Sequence, residues 1–355
     1  MIRRPSYYKK FKCISKNCTD SCCADWEIDI DEDTLDFYKN VKGDFAGRLK
    51  DNIFIPGKDD EEIPHFIQTK DERCPFLNEC NLCDIFINLG EEHLSQICTH
   101  HPRYYDWFLN GEEQGLGLCC EEAARLILTD DSENDFEVIQ TENQEEIGDD
   151  EEYEVQQALE NLLFEMRNEI FDILNNDNGL KMKINELWDK SVVYQNKYDE
   201  ILFSESFETA NDKVFTDIFF DYDTLCKLID FYMNLEINNM DWWRKLKDLK
   251  ENLHEVIEIK SEFNEYYKDS FEQYINLLKY FVYRYFMKSR EDDNVTGKIK
   301  FSLISTLMIY VLDVYNYKFY GRLTLTDQIN ICKLYSKEVE YDEDNESAVE
   351  NCTLF

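Results

Sequence analysis

The feature that most constrains this 355-residue chain is the distribution of its thirteen cysteines. Ten of them precede position 121 and fall into four groups, whereas Cys226, Cys332 and Cys352 are scattered along the remainder. The groups are Cys13, Cys18, Cys22 and Cys23; Cys74, Cys80 and Cys83; Cys98; and Cys119 and Cys120. Short loops bring neighbouring thiols together at low entropic cost, and one inorganic centre can then join distant groups. The pattern therefore predicts a common thiol site in the N-terminal third.

The cellular compartment decides how such thiols are interpreted. The opening MIRRPSYYKKFKC is basic but no apolar run follows it, so we expect no signal peptide. The most apolar stretch, residues 301–315, is interrupted by Asp313 and is shorter than a membrane span of ~20 residues, which predicts a buried helix. We therefore expect a cytoplasmic protein without a membrane segment. In that compartment, clustered thiols are more often metal ligands or catalytic groups than disulfides.

The charge balance limits the partners of the chain. There are 38 basic and 76 acidic residues, which gives a formal net charge of −38. A nucleic-acid surface needs clustered Lys and Arg, so we expect no nucleic-acid partner, and an anionic membrane is disfavoured for the same reason. The acidic surface is compatible with a cationic partner, or it simply keeps the protein in solution.

Three regions follow from composition and periodicity. Residues 1–128 contain the grouped cysteines and most of the glycines, which predicts a cysteine-rich, loop-rich metal-binding region with a short helix capped by Asp31. Residues 129–152 are dense in acid and are expected to form a linker or an exposed loop. Residues 153–355 carry apolar side chains at three- and four-residue spacing, as at Leu159, Leu163 and Met166. We expect a mainly α fold in which the metal-binding region packs on an α-helical C-terminal region.

The cysteine spacing leaves three interpretations of the thiol site open: an iron–sulfur cluster, a zinc ion, or no metal. Zinc sites usually show two matched CxxC pairs, but only Cys80 and Cys83 form such a pair. An iron–sulfur cluster needs four thiolates, and more than four are offered here. The CxxxCxxC motif of radical S-adenosylmethionine enzymes is not met, because Cys23 directly follows Cys22. His100, His101 and Arg103, beside Cys98, either donate hydrogen bonds to the sulfurs or cap a helix end.

Three blocks of sequence resemble the flagellin lysine-N-methylases. They are RRPSYYKKFKCISKNCTDSCCADWEIDID, RCPFLNECNLCDIFINLGEEHLSQICTHHPRYYDWF and LGLCCEEAARL, and the later KYFVYRYF and ICKLYSKEVEYDEDN are also similar. The first blocks are similar as well to small CxxCxxCC proteins that chelate zinc or iron. The resemblance implies transfer of a methyl group from S-adenosylmethionine to lysine side chains of flagellin, and a [4Fe-4S] cluster, with zinc as the alternative.

The resemblance also implies a set of site residues. The matching thiols are Cys18, Cys22, Cys23, Cys74, Cys83, Cys98 and Cys119. Among them we favour Cys22, Cys74, Cys83 and Cys98 as cluster ligands. Cys80, and Ala24-Asp25 before Trp26, depart from the family pattern.

The sequence identifies no catalytic residue, but it offers an aromatic segment that suits a cationic ligand. Tyr104, Tyr105, Asp106 and Trp107 are the predicted cofactor-binding residues, because aromatic rings attract a sulfonium or a lysine and stack on adenine. The alternative for this segment is an aromatic edge of the core. The alternative for the whole protein is a non-enzymatic iron–sulfur or zinc sensor with a helical interaction domain.

Overall fold

The N-terminal region combines short helices with a small sheet. The computed structural model describes residues 1–24, 26–57, 62–109, 111–132, 134–140, 151–203 and 214–355. The elements up to residue 140 are β1 (Ile2–Pro5), α1 (Glu32–Asn40), α2 (Asp44–Asp51), β2 (Ile53–Phe54), β3 (His65–Phe66), α3 (Asp84–Leu89), α4 (Gln96–His100), β4 (Arg103–Phe108), β5 (Gly111–Leu116), α5 (Glu121–Leu128) and β6 (Phe136–Ile139). The predicted cap of α1 is confirmed, since the Asp31 carboxylate accepts a hydrogen bond from the Thr34 amide.

Four of the strands form one sheet in the order β4-β5-β1-β6. The hairpin partners β4 and β5 are antiparallel, whereas β1 runs parallel to β5 and antiparallel to β6. Strand β6 lies within the predicted acidic linker of residues 129–152, and the most acidic part of that linker, residues 141–150, lies outside the described residues. The strand forms there because Phe136 is partly buried against the helical core.

The rest of the chain is helical, as the 3.6-residue periodicity predicted. Most described residues of the protein lie in helices, which confirms the mainly α fold. The helices are α6 (Glu151–Asn175), α7 (Leu180–Phe203), α8 (Phe215–Phe219), α9 (Tyr222–Met233), α10 (Met240–Glu251), α11 (Leu253–Tyr267), α12 (Glu272–Tyr285), α13 (Ser289–Asp292), α14 (Val295–Tyr320), α15 (Leu325–Tyr335) and α16 (Glu343–Glu350), with a π-helix at Ser336–Glu340 after α15.

Helix α14 is the central element of the helical region. It is the one helix among the described residues that is long and apolar enough to cross a membrane, yet 89% of its most apolar window is buried inside the protein. Its apolar composition is therefore accounted for by packing against α7, α11, α12 and α15. Asp313, near its C-terminal end, is buried and accepts hydrogen bonds from Tyr274 and Gln328.

The apolar residues form two separate cores. The large core joins the helical region to α5 and to parts of the sheet. The small core lies in the head, which we define as residues 13–101, and is built on Ile28, Tyr38, Phe66 and Phe76. Cys74 belongs to this small core, and Cys23, Cys83 and Cys98 pack against it, so thiols form part of the packing of the head.

A buried ion pair holds the sheet against the helical region. Arg167 of α6 is fully buried and donates two hydrogen bonds to the Glu113 carboxylate of β5, one of them at 2.7 Å. The rings of Phe164 and Tyr283 lie 5.2 and 5.1 Å from the same guanidinium. Removal of Glu113 would leave the buried Arg167 without its carboxylate, whereas Glu113 also lies 3.7 Å from Arg3 of β1, so the pair links β1, β5 and α6.

Candidate functional site

The loop that carries the first cysteine group is fixed to the helical region by charged side chains. Asp20 lies 2.9 Å from the Lys337 ammonium and 3.4 Å from that of Lys333. Glu121, at the start of α5, accepts a hydrogen bond from the Thr19 amide at 2.9 Å and lies 3.3 Å from Lys333. We call these four side chains, Asp20, Glu121, Lys333 and Lys337, the latch. It orients residues 18–23, of which Cys23 also packs against the small core.

Backbone hydrogen bonds bring the second cysteine group to the first. The Cys74 amide donates to the Cys23 carbonyl at 2.7 Å, and Ala24 pairs with Arg73 in an antiparallel bridge. A second bridge, between Leu77 and Cys83, closes the loop that contains Cys80 and places Cys83 at the start of α3. The loop therefore folds back, so that Cys74 and Cys83 both border the small core.

The four favoured thiols lie within electrostatic reach of one another. Burial, together with the neighbouring Cys98 and Cys83, raises the pKa of Cys74 to about 12. Burial also raises the pKa of Cys98 to about 12, with added contributions from Cys83 and Cys22. The pKa of Cys83 is raised by burial first and, among other groups, by Cys22. The thiols are therefore neutral on their own, and a bound cation would be needed to stabilise them as thiolates.

The metal itself stays a prediction. Within the described parts of the chain, no three Cys, His, Asp or Glu side chains are arranged to hold a metal ion as they stand. All thirteen cysteines are free thiols, so no disulfide competes for them. The structure places four thiols from separate segments within electrostatic range of their neighbours. They are Cys22, Cys74, Cys83 and Cys98.

The remaining predicted thiols separate into two environments. Cys18 lies 3.6 Å from the Glu121 carboxylate, and Cys23 borders the small core. Cys119, by contrast, is buried and donates a hydrogen bond to the Tyr341 hydroxyl at 2.9 Å. Its neighbour Cys120 interacts electrostatically with Cys22 and Cys18, while burial raises the pKa of Cys120 to about 12. The structure thus places Cys120, which is absent from the set of family-matched thiols, beside the thiol site, and it turns Cys119 towards the helical region.

The aromatic segment predicted to bind the cofactor lies on β4, where side chains alternate between two faces. The Arg284 guanidinium lies 4.8 Å from the Tyr104 ring, and Asp106 forms an ion pair with Arg290. These two side chains therefore contact the helical region. The structure divides the predicted set between the two faces of the strand.

The other two members of the set lie on the opposite face. The Tyr105 ring is 5.4 Å from that of His100 and 6.3 Å from that of Trp107, and Trp107 is 68% exposed. These rings face the head rather than the helical region. Cofactor binding by the four residues together stays a prediction, and only Trp107 is largely open to solvent.

A polar cluster behind β5 was not found by sequence reasoning. The Glu340 carboxylate, at the end of the π-helix, accepts hydrogen bonds from Tyr280 at 2.6 Å and Tyr285 at 2.8 Å and lies 3.2 Å from Arg284. Tyr280 also accepts a hydrogen bond from the Leu118 amide. The cluster links the LGLCC turn to α12 and the π-helix. No local sequence pattern predicts this cluster, because its members are far apart in the sequence.

Histidine and tryptophan side chains close the thiol site on the side of α4. The Trp26 indole donates a hydrogen bond to the Cys22 carbonyl at 2.9 Å, and its ring stacks on His101 at 6.1 Å. Burial, followed by the charge of Lys337, lowers the pKa of His101 to about 4, so this imidazole is neutral at pH 7. A neutral ring adds no positive charge beside the thiols.

Comparisons with known proteins agree with the earlier resemblance. A family model described as the FliB lysine N-methylase C-terminal domain matches residues 150–353, which is more than half of the chain. The chain is 29% identical over 131 residues to the flagellar biosynthetic protein FliU of Salmonella muenchen, and this match covers 36% of the chain and 78% of that protein. No solved structure matches the chain.

Two further relatives are named lysine-N-methylase. The chain is 28% identical over 131 residues to the protein of Salmonella typhimurium and 30% identical over 132 residues to that of Salmonella choleraesuis. Each match covers 36% of the chain but 33% of the relative, so it spans about a third of the length of these two proteins.

Proposed function

Because this chain belongs to the FliB lysine N-methylase family, we propose that it transfers methyl groups from S-adenosylmethionine to lysine side chains of flagellin. The expected enzyme class, protein-lysine N-methyltransferase, is thereby confirmed at the level of the family. The proposal extends that class to a methyl donor, a substrate and a [4Fe-4S] cluster held in the head. We also propose that the protein acts in the cytoplasm.

The substrate part of the proposal is supported by the relatives and by charge. One relative is named a flagellar biosynthetic protein. The net charge of −38 favours the approach of a lysine-bearing surface, and this attraction should weaken as salt is added. Flagellin is therefore the first substrate to test.

The proposal of a cluster rests on one observation, which is that four thiols from three separate segments of the chain approach one another. Cys22, Cys74, Cys83 and Cys98 are linked by electrostatic interactions, and three of them are buried or partly buried whereas Cys22 is exposed. Four thiolates are the ligand set of a [4Fe-4S] cluster, and they also suit a zinc ion. The cluster would supply a rigid centre for the head, whose apolar core is small.

The chain's own residues prepare the site rather than donate the methyl group. S-adenosylmethionine supplies an electrophilic methyl carbon, which the neutral lysine nitrogen attacks as the bond to sulfur breaks. An exposed lysine has a pKa of ~10.4, so the protein has to desolvate the ammonium or accept its proton. Half-buried aromatic surfaces can remove water from the ammonium.

The alternative, a non-enzymatic sensor, is favoured by one specific observation. The latch connects the thiol loop directly to α15 and the π-helix, so a change at the thiols reaches the helical region through Asp20 and Glu121. A sensor needs such a connection, whereas an enzyme does not require it. Catalytic turnover distinguishes the two functions, because an enzyme methylates flagellin and a sensor does not.

The test is a methylation assay on protein purified without oxygen. Iron, sulfide and zinc are measured first, and the chain is then incubated with S-adenosylmethionine and flagellin. Intact-mass spectra should show flagellin gaining one or more methyl groups, at positions that peptide mapping assigns to lysine. A metal-loaded chain that leaves the flagellin mass unchanged would favour the sensor instead.

A further inference from the structure

A cleft in the helical region lies away from the thiol loop and the β4 aromatics. Its volume is about 330 Å³, at the lower end of the range for small-molecule sites. One wall is a face of α10, and the other is the C-terminal end of α14. The lining residues are Asp241, Arg244, Lys245, Asp248, Tyr315, Asn316, Phe319 and Tyr320. Their spacing within each helix puts each set on one face.

Lys245 gives the cleft a cation, on which Asp313, Asp248 and Asp327 act without a direct contact. Its ammonium lies 3.3 Å from the Asn316 side-chain oxygen, and no carboxylate of the described residues lies within ion-pair distance of it. Burial lowers the pKa of Lys245 even though these three carboxylates raise it, in keeping with an ammonium that is partly removed from water. In a chain with twice as many acids as bases, a half-buried lysine without a carboxylate partner is suited to an anionic group of a ligand.

The same cleft carries acidic and aromatic side chains. Asp241 pairs with Arg244 at 2.6 Å, and Asp248 lies further along the same face of α10. On α14, the Tyr315 ring is 4.6 Å from the Phe319 ring, and Phe319 is 50% exposed. An exposed aromatic surface of this kind offers a stacking platform for a flat ring, and the acids offer partners for positive charge.

We infer that this cleft binds S-adenosylmethionine, with Lys245 on the carboxylate of the methionine part and Phe319 beside the adenine. The ligand has one carboxylate, two positive centres and one flat ring, and the cleft offers a counterpart to each. Every lining residue also falls within residues 150–353, the segment that matches the methylase family model. The assignment rests on the proposed use of this methyl donor, and it competes with the β4 segment predicted from sequence.

The test compares ligand binding by matched variants of the full chain, purified without oxygen. Isothermal titration calorimetry is run with S-adenosylmethionine and with S-adenosylhomocysteine, which keeps the carboxylate and adenine but lacks the sulfonium. Lys245→Met should weaken both ligands by about tenfold or more, since it removes a charged hydrogen bond. Phe319→Ala should also weaken both. Lys247→Met, an exposed lysine on the same helix, is the control and should change neither.

The outcomes separate this inference from the proposed function. Melting curves of each variant confirm that it is folded. If Lys245→Met and Phe319→Ala bind both ligands as the parent chain does, binding in the cleft is overturned while the methylase proposal stands, and weaker binding by Trp107→Ala would then assign the ligand to β4. If the parent chain binds neither ligand and leaves flagellin unmethylated, both are overturned.

Discussion

The Lys337 ammonium lies 2.9 Å from the Asp20 carboxylate, and this contact joins the loop of Cys18, Cys22 and Cys23 to the π-helix at Ser336–Glu340. The two residues are 317 positions apart in the sequence. Lys333, one turn earlier, adds contacts to Asp20 and Glu121 with only 6% of its side chain exposed. The thiol loop thus depends for its position on residues near the end of the chain.

Replacement of Lys333 should loosen this loop. Lys333→Met leaves Asp20 and Glu121 with one cation fewer, and we expect a loss of about 1–3 kcal/mol in the free energy of unfolding. Urea denaturation measures that loss, and limited proteolysis should cut residues 18–23 faster. The control is Lys181→Met, because Lys181 and Asp217 form an ion pair of similar length but are two-thirds exposed. Its effect should stay below ~1 kcal/mol. Equal effects of both variants would contradict a structural role for the latch.

Loss of one favoured thiol should release the metal. In Cys74→Ser, and separately in Cys83→Ser, we expect iron and sulfide, or zinc, to fall to background, and the head to lose stability with them. Metal analysis and near-ultraviolet circular dichroism measure the two effects. Cys226→Ser, outside the head and partly buried, is the matched control and should retain full metal content. Full metal in both head variants would exclude these thiols as ligands.

The strand found in the acidic segment should contribute measurably to stability. The Phe136 ring lies 4.6 Å from that of Phe171 and 5.3 Å from that of Tyr283, so Phe136→Ala should cost about 2–4 kcal/mol. Val138, two residues later, is 47% exposed, and Val138→Ala should cost under ~1 kcal/mol. Chemical denaturation of both variants measures the difference. If Phe136→Ala is as mild as Val138→Ala, β6 does not anchor the segment.

Asp313 should make stability depend on pH near neutrality. Burial raises the pKa of Asp313 to about 7, above its ordinary value of 3.8. Because the folded chain holds this proton more tightly than the unfolded chain, Asp313 contributes to the free energy of unfolding. That contribution is complete below pH ~4 and is lost as the pH rises to ~7, at up to ~1.4 kcal/mol per pH unit. The free energy of unfolding of the parent, relative to that of Asp313→Asn, should therefore fall between pH 5 and pH 8. A difference that does not change with pH would show that this carboxyl ionises equally in the folded and unfolded chain.

Local periodicity predicted the helical part of the fold well. Helix α6 begins at Glu151, two residues before the expected start, and buries Leu159, Leu163, Met166 and Ile170 as the spacing requires. The apolar stretch around Asp313 is a buried helix for the same reason. These helices depend on contacts between residues three and four positions apart, and that spacing can be seen directly in the sequence.

Contacts between distant segments could not be predicted in this way. The β4 aromatics were grouped because they are consecutive, but a strand directs alternate side chains to opposite faces, so Tyr104 and Tyr105 have different surroundings. The adjacent Cys119 and Cys120 are divided similarly, and only the turn before α5 decides which thiol faces Cys22. The latch and the Glu340 cluster join residues from both ends of the chain, and no local spacing marks them.

The pairing of β1 has a consequence for how the protein assembles during synthesis. Ile2 and Arg3 are translated long before their strand partners, which are Glu112 and Glu113 on one side and residues 136–139 on the other. Strand β1 cannot complete its pairing until residue 139 has been translated, and such distant pairing slows folding. Arg167, which secures Glu113, emerges later still. We expect the nascent chain to complete its sheet only after α6 has left the exit tunnel, so chaperone demand should be greatest in that interval.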